Sequence, residues 1–173
     1  PLDCLGGVIN DLTADSKGGV YFTMGGLFHV DPKGTVTRYG ENLATNGIIL
    51  SADEKTLYVT NAGSVAAFDV QPDGSLKNQR QFVQLPTPGG DGLSIDSQGR
   101  LYVTAGPALH VVASDGKLLG SIHAPYGLIT AAFAGKGKKT MYAVVSLTDP
   151  NRLQHAYVYS IPMLAQGYAG RAK

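Results

Sequence analysis

The chain has 173 residues, the size of one domain, is 43% hydrophobic and 16% charged, and carries 14 Lys and Arg against 13 Asp and Glu. The resulting net charge of +1 is scattered along the sequence, which excludes the basic patch or stripe of a nucleic-acid binder. A single cysteine, Cys4, excludes an intrachain disulfide, no apolar run approaches a membrane span and no signal peptide is legible, so cytosol and periplasm both stay open as compartments.

Short β-branched and aromatic runs bounded by Gly, Asp, Ser and Lys clusters predict strands joined by hairpins throughout. The first unit opens at Asn10-Asp11-Leu12-Thr13-Ala14, turns at Ser16-Lys17-Gly18-Gly19 and continues as Val20-Tyr21-Phe22-Thr23. Its second hairpin runs from Leu27-Phe28-His29-Val30 through Asp31-Pro32-Lys33-Gly34 into Thr35-Val36-Thr37. The second unit repeats this from Asn46-Gly47-Ile48-Ile49-Leu50 to Leu57-Tyr58-Val59-Thr60, with a turn at Gln71-Pro72-Asp73-Gly74. The third runs from Asp91-Gly92-Leu93-Ser94-Ile95 to Leu101-Tyr102-Val103-Thr104, with a turn at Ser114-Asp115-Gly116. The fourth pairs Thr130-Ala131-Ala132-Phe133 with Met141-Tyr142-Ala143-Val144, and Ala156-Tyr157-Val158-Tyr159-Ser160-Ile161 is expected to be its final strand.

The tyrosines Tyr21, Tyr58, Tyr102 and Tyr142 lie 37, 44 and 40 residues apart. A period near 40 with strand-like units is the sequence signature of propeller blades. The expected architecture is one all-β domain over residues 1–173, a partial β-propeller of about four four-stranded antiparallel blades at about 8–40, 44–83, 89–123 and 128–162. The innermost strand of each blade lines the central channel, so the residues that open the units should converge on the axis. Counted back from the tyrosines by 11, 12, 11 and 12 residues, these are Asn10, Asn46, Asp91 and Thr130. Amide and carboxylate oxygens so arranged suit a hard cation such as Ca²⁺, which takes about 6–8 oxygen ligands. The same dipeptides, Asn-Asp, Asn-Gly and Asp-Gly, are also ordinary turn formers.

At these residues the chain resembles the gluconolactonase/regucalcin family of six-bladed β-propellers. The matching phrases are Asn10-Asp11-Leu12 with Gly19-Val20-Tyr21-Phe22-Thr23, Thr45-Asn46-Gly47-Ile48 with Leu57-Tyr58-Val59, and Gly90-Asp91-Gly92-Leu93 with Leu101-Tyr102-Val103. The resemblance implies hydrolysis of a sugar lactone with one divalent cation on the axis, Ca²⁺ foremost, with Zn²⁺ and Mg²⁺ as alternatives. It implies Asn46 and Asp91 as metal ligands, with Asn10 beside the metal or the substrate. A further family ligand, a first-blade glutamate, has no counterpart here, and Met24 stands where relatives tend to carry Asp. The expectation that follows is a chain beginning at about the second or third blade, in which the site is incomplete.

As the ring's one carboxylate, Asp91 is the candidate to orient or deprotonate the attacking water. Thr130 and Tyr126 are candidates for the rim that meets substrate. His155, in the polar run after Asp149, is a further candidate at the channel mouth. No Gly-x-Ser-x-Gly elbow supports serine catalysis, and Gly89-Gly90-Asp91-Gly92 lacks the Lys-Ser/Thr of a phosphate loop. The expected partner is a small lactone, with neither nucleic acid nor membrane, and the open propeller edges invite edge-to-edge self-association. A non-catalytic propeller that scaffolds a ligand or protein is the rival reading. A paraoxonase- or strictosidine-synthase-like relative would share the fold with a different pocket.

Overall fold

The computed structural model describes residues 7–170; Cys4 lies outside them. Four consecutive antiparallel sheets form the blades of a β-propeller. The first blade is β1 (Asp11–Ala14), β2 (Val20–Thr23), β3 (Leu27–Val30) and β4 (Val36–Tyr39), paired in that order. The second is β5 (Thr45–Leu50), β6 (Thr56–Asn61), β7 (Ser64–Val70) and β8 (Leu76–Gln84). The third is β9 (Gly90–Ile95), β10 (Leu101–Ala105), β11 (Ala108–Val112) and β12 (Leu118–His123). The fourth is β13 (Gly127–Ala134), β14 (Thr140–Thr148) and β15 (Gln154–Pro162), with a 3₁₀ turn at Lys136–Lys138 between the first two. The innermost strands pack side by side, β1 on β5, β5 on β9 and β9 on β13.

Local chemistry explains the turns. The carboxylate of Asp15 accepts from the backbone N–H of Lys17 and Gly19, Asp31 from Lys33 and Thr35, and Asp96 from Gln98 and Arg100. Asp53, Asp73, Asp115 and Asp149 close their turns in the same way. These Asx bonds hold the chain reversal without help from the sheet. The backbone N–H of Thr35 in particular holds the Asp31 carboxyl below the usual carboxylate range. Most of the acidic residues are thereby committed to turns.

The core lies between blades. Tyr21 and Leu27 of the first blade pack onto Ile48, Leu57, Val59 and Phe68 of the second. Ile49, Tyr58 and Val65 of the second pack onto Leu93, Leu101 and Val103 of the third, and Tyr102 and Leu109 of the third onto Leu128, Phe133 and Met141 of the fourth. Each repeated tyrosine therefore faces the following blade. The Tyr21 hydroxyl carries this furthest, donating to the Gly74 carbonyl in the β7–β8 turn at 2.7 Å. The fourth tyrosine differs: Tyr142 occupies the same place and is 42% exposed, with no following blade among the described residues to cover it.

The fourth blade also differs from expectation in strand count. Its described strands number three, and the run Ala156–Ile161 belongs to the third, hydrogen-bonded along its length to β14. After Pro162 the chain turns back instead of adding to that edge. Met163 N–H donates to the Lys139 carbonyl, Ser97 N–H to Gln166, and Asp96 bridges Gly167. Tyr157, Val158 and Tyr159 of β15 are left 46%, 65% and 39% exposed.

Candidate functional site

The innermost strands do not enter their sheets regularly. In β5, Thr45 pairs with Asn61 and Ile48 with Val59, so Asn46 and Gly47 together oppose Thr60. In β9, Gly90 pairs with Ala105 and Leu93 with Val103, so Asp91 and Gly92 oppose Thr104. In β1, Asn10 N–H donates to the Thr23 carbonyl while Asp11 pairs with Thr23. In β13, Leu128 pairs with Val145 and Ala131 with Ala143, so Ile129 and Thr130 oppose Val144. The second, third and fourth blades thus carry a β-bulge at the same end of the innermost strand, β1 begins at the equivalent point, and such bulges re-aim side chains beside functional sites.

Threonines clamp these bulges together. The Thr23 hydroxyl bonds the Asn46 carbonyl of the next blade at 2.5 Å. The Thr60 hydroxyl lies 3.2 Å from the Asp91 carbonyl and 3.4 Å from that of Gly47, and Thr104 lies 2.9 Å from the Ile129 carbonyl and 3.2 Å from that of Gly92. All three threonines are fully buried. The last residue of the repeated Tyr phrase is therefore the tie between the bulge of its own blade and that of the next. Glycine follows Asn46 and Asp91 because the bulges nearly touch. A Cβ on Gly47 would sit 2.2 Å from the Asp91 carbonyl oxygen, and one on Gly92 would sit 2.3 Å from the Thr130 hydroxyl.

The register shows that the first bulge position is held by Asn10, Asn46, Asp91 and Ile129. Thr130, counted back from Tyr142, stands one position further on, level with Asp11, Gly47 and Gly92. The reason is the β13–β14 connection: its 3₁₀ turn lengthens it, so that Tyr142 pairs with Ala132, ten residues back, whereas Tyr58 pairs with Ile49, nine back. Half-buried Thr130 packs over Gly92, and Ile129, 42% exposed, takes the axial place. Tyr126 lies in the β12–β13 connection, 38% exposed, its ring stacked on Tyr157 at 6.1 Å. His155 lies on β15 with its Nε2 3.1 Å from the Asp149 carboxylate that closes the β14–β15 turn.

Asp11 is the residue that sequence reasoning passed over. One carboxylate oxygen accepts from Leu12 N–H at 2.8 Å, and the other accepts from Ile48 N–H of the second blade at 3.0 Å. Its charge reaches Asp91. Burial first, and then the Asp11 charge, push the Asp91 carboxyl above the usual carboxylate range, while a hydrogen bond from Asn46 eases it. Two carboxylates and an amide of three consecutive blades therefore interact at one end of the axis. The signal for Asp11 was its place in the Asn10-Asp11 phrase, where the other two phrases carry glycine.

No group of three or more His, Cys, Asp and Glu side chains is gathered among the described residues. The donors present are carboxylate and amide oxygens, the chemistry a hard cation takes.

The family model of the SMP-30/gluconolactonase/LRE-like region matches residues 5–147. The gluconolactonase of Zymomonas mobilis is 30% identical over 162 residues, covering 75% of this chain and 46% of that protein. A Xanthomonas campestris gluconolactonase structure superposes with a TM-score of 0.71 at 26% identity, covering 79% of this chain and 54% of that one. A calcium-binding protein, regucalcin, from Agrobacterium tumefaciens shares the fold, with a TM-score of 0.78 at 17% identity over 92% of this chain and 62% of its own. The chain spans about half the length of the gluconolactonases it matches.

Proposed function

Because this chain belongs to the SMP-30/gluconolactonase/LRE-like family, we propose that it carries the axial site of a lactone hydrolase working with one divalent cation. The observation that carries this reading is the meeting of Asp11, Asn46 and Asp91 at adjacent bulges, where burial and Asp11 raise the proton affinity of Asp91. The residues that would hold the ion are Asn46 and Asp91, with Asn10 and Asp11 beside them. Ca²⁺ is the ion of choice, since the donors are all hard oxygens and the regucalcin of like fold is a calcium-binding protein. Zn²⁺, which favours imidazole and thiolate, and Mg²⁺, which demands octahedral geometry, fit less closely.

A bound cation supplies Lewis-acid polarisation of the lactone carbonyl and neutralises the charge that develops on it. The chain's own residues do the rest. Asp91 accepts the proton of the attacking water. The Asn46 amide donates to Asp91 and orients it. The Thr60 clamp holds the Asp91 backbone. Ring opening then returns the proton to the leaving alkoxide, giving the hydroxy acid.

The test is calcium calorimetry with a screen of aldonolactones on the wild type and Asp91→Asn. The reading expects cation binding and hydrolysis, both lost in the variant. Unchanged turnover in Asp91→Asn would refute it. A wild type that binds no cation and opens no lactone would favour a propeller that only scaffolds a ligand.

A further inference from the structure

The four first-bulge positions are not chemically alike. Three carry Asn10, Asn46 and Asp91, and the fourth carries Ile129, an aliphatic side chain 42% exposed at an otherwise polar axial position. Thr104 ties the Ile129 carbonyl as Thr60 ties that of Asp91, so the backbone geometry of the fourth position matches the others and only the side chain differs. The fourth-blade quadrant thus offers apolar contact where the other three offer hydrogen bonds.

We infer that Ile129 makes this site select lactones that carry an alkyl or aryl substituent over polyhydroxylated aldonolactones. The inference rests on the lactone-hydrolase reading and deepens it. A ring hydroxyl turned toward Ile129 would lose its water without gaining a partner. An alkyl group there exchanges water for apolar contact, and one methylene more or less in such a contact discriminates by roughly 10- to 200-fold. Ile129 is therefore a specificity-determining residue, while the polar three positions meet the reacting carbonyl.

The experiment compares kcat/KM for a γ-alkyl-γ-lactone and an aldono-γ-lactone in the wild type, Ile129→Asn and Ile129→Val, and measures binding of the matching lactams, which are not hydrolysed, by calorimetry. The expected result is a wild type favouring the alkyl lactone and lactam. Ile129→Asn should lower that preference by roughly tenfold or more, and Ile129→Val should keep most of it. A wild type favouring the aldonolactone, or an Ile129→Asn variant that weakens both ligands equally, overturns the inference. If neither lactone is opened yet the lactam preference is present and lost in Ile129→Asn, the hydrolase reading falls and the specificity assignment stands. Absence of both turnover and lactam preference removes both.

Discussion

Thr60→Val separates fold from site. Valine keeps the shape and strand preference of threonine and removes one hydroxyl. Thr60 is fully buried, and its hydroxyl hydrogen serves the carbonyls of Asp91 at 3.2 Å and Gly47 at 3.4 Å. Losing one such bond removes about 0.5–1.5 kcal/mol, and a buried carbonyl left short of a donor adds to that, so the expected loss is about 1–2 kcal/mol. For a chain of this length that is a fall of about 2–8 °C in melting temperature. The Asp91 backbone is also released, so calcium affinity should drop by about three- to tenfold, the equivalent of roughly 0.7–1.4 kcal/mol of lost positioning. Thr104→Val is the control, because its hydroxyl ties Ile129 and Gly92 instead of a residue proposed to hold the ion. It should melt as low as Thr60→Val yet bind calcium within about twofold of the wild type, as its ties lie outside the proposed ligands. Thermal melts and calcium calorimetry on both variants decide. If Thr104→Val loses calcium as Thr60→Val does, or if Thr60→Val melts like the wild type, the blade-to-blade clamp does not position the site.

Gly47→Ala should be far more damaging than its single carbon suggests, by about 3 kcal/mol or more, because the new Cβ would lie 2.2 Å from the Asp91 carbonyl oxygen. Gly63→Ala, whose Cβ meets nothing nearer than 3.5 Å, should cost under about 1 kcal/mol by chemical denaturation. The pH dependence has a definite sign. Burial and Asp11 raise the Asp91 carboxyl, so its contribution to metal-free stability is full below the ordinary carboxylate range and is lost as pH rises through the raised value. Melts of the metal-free protein from about pH 4 upward should therefore show a decrement that Asp91→Asn removes. Added calcium should stabilise most at the upper end of that window, where Asp91 is ionised. A calcium effect that grows toward low pH would contradict the role given to Asp91.

Much was legible in the one-dimensional pattern, because hairpins are local. The Tyr phrase recurs, Asp at fixed offsets closes each turn, and alternation assigns faces, so blades could be laid out from sequence alone. Asn46 and Asp91 come to equivalent positions in the sequence because tyrosine spacing aligns their strands to within one residue. The spacing resolves no finer than that. A bulge inserts one residue and a 3₁₀ turn adds another, and counting along the chain cannot tell them apart. Thr130 was therefore named where the register puts Ile129. Asp11 could not be weighed at all, since its partners, Ile48 N–H and the charge of Asp91, lie on other blades.

The sequence by itself determined the blades, their order and the polar character of three of the four axial positions, since these depend on contacts within a hairpin. The tertiary structure alone decided which residue of each bulge faces the axis, that Thr23, Thr60 and Thr104 join blade to blade, and that Asp11 shifts Asp91. Those outcomes arise between residues on different blades, 23 to 31 apart for the threonine ties and farther for Asp11 and Asp91, where side-chain reach and carbonyl separations of a few ångströms matter and sequence distance carries no information.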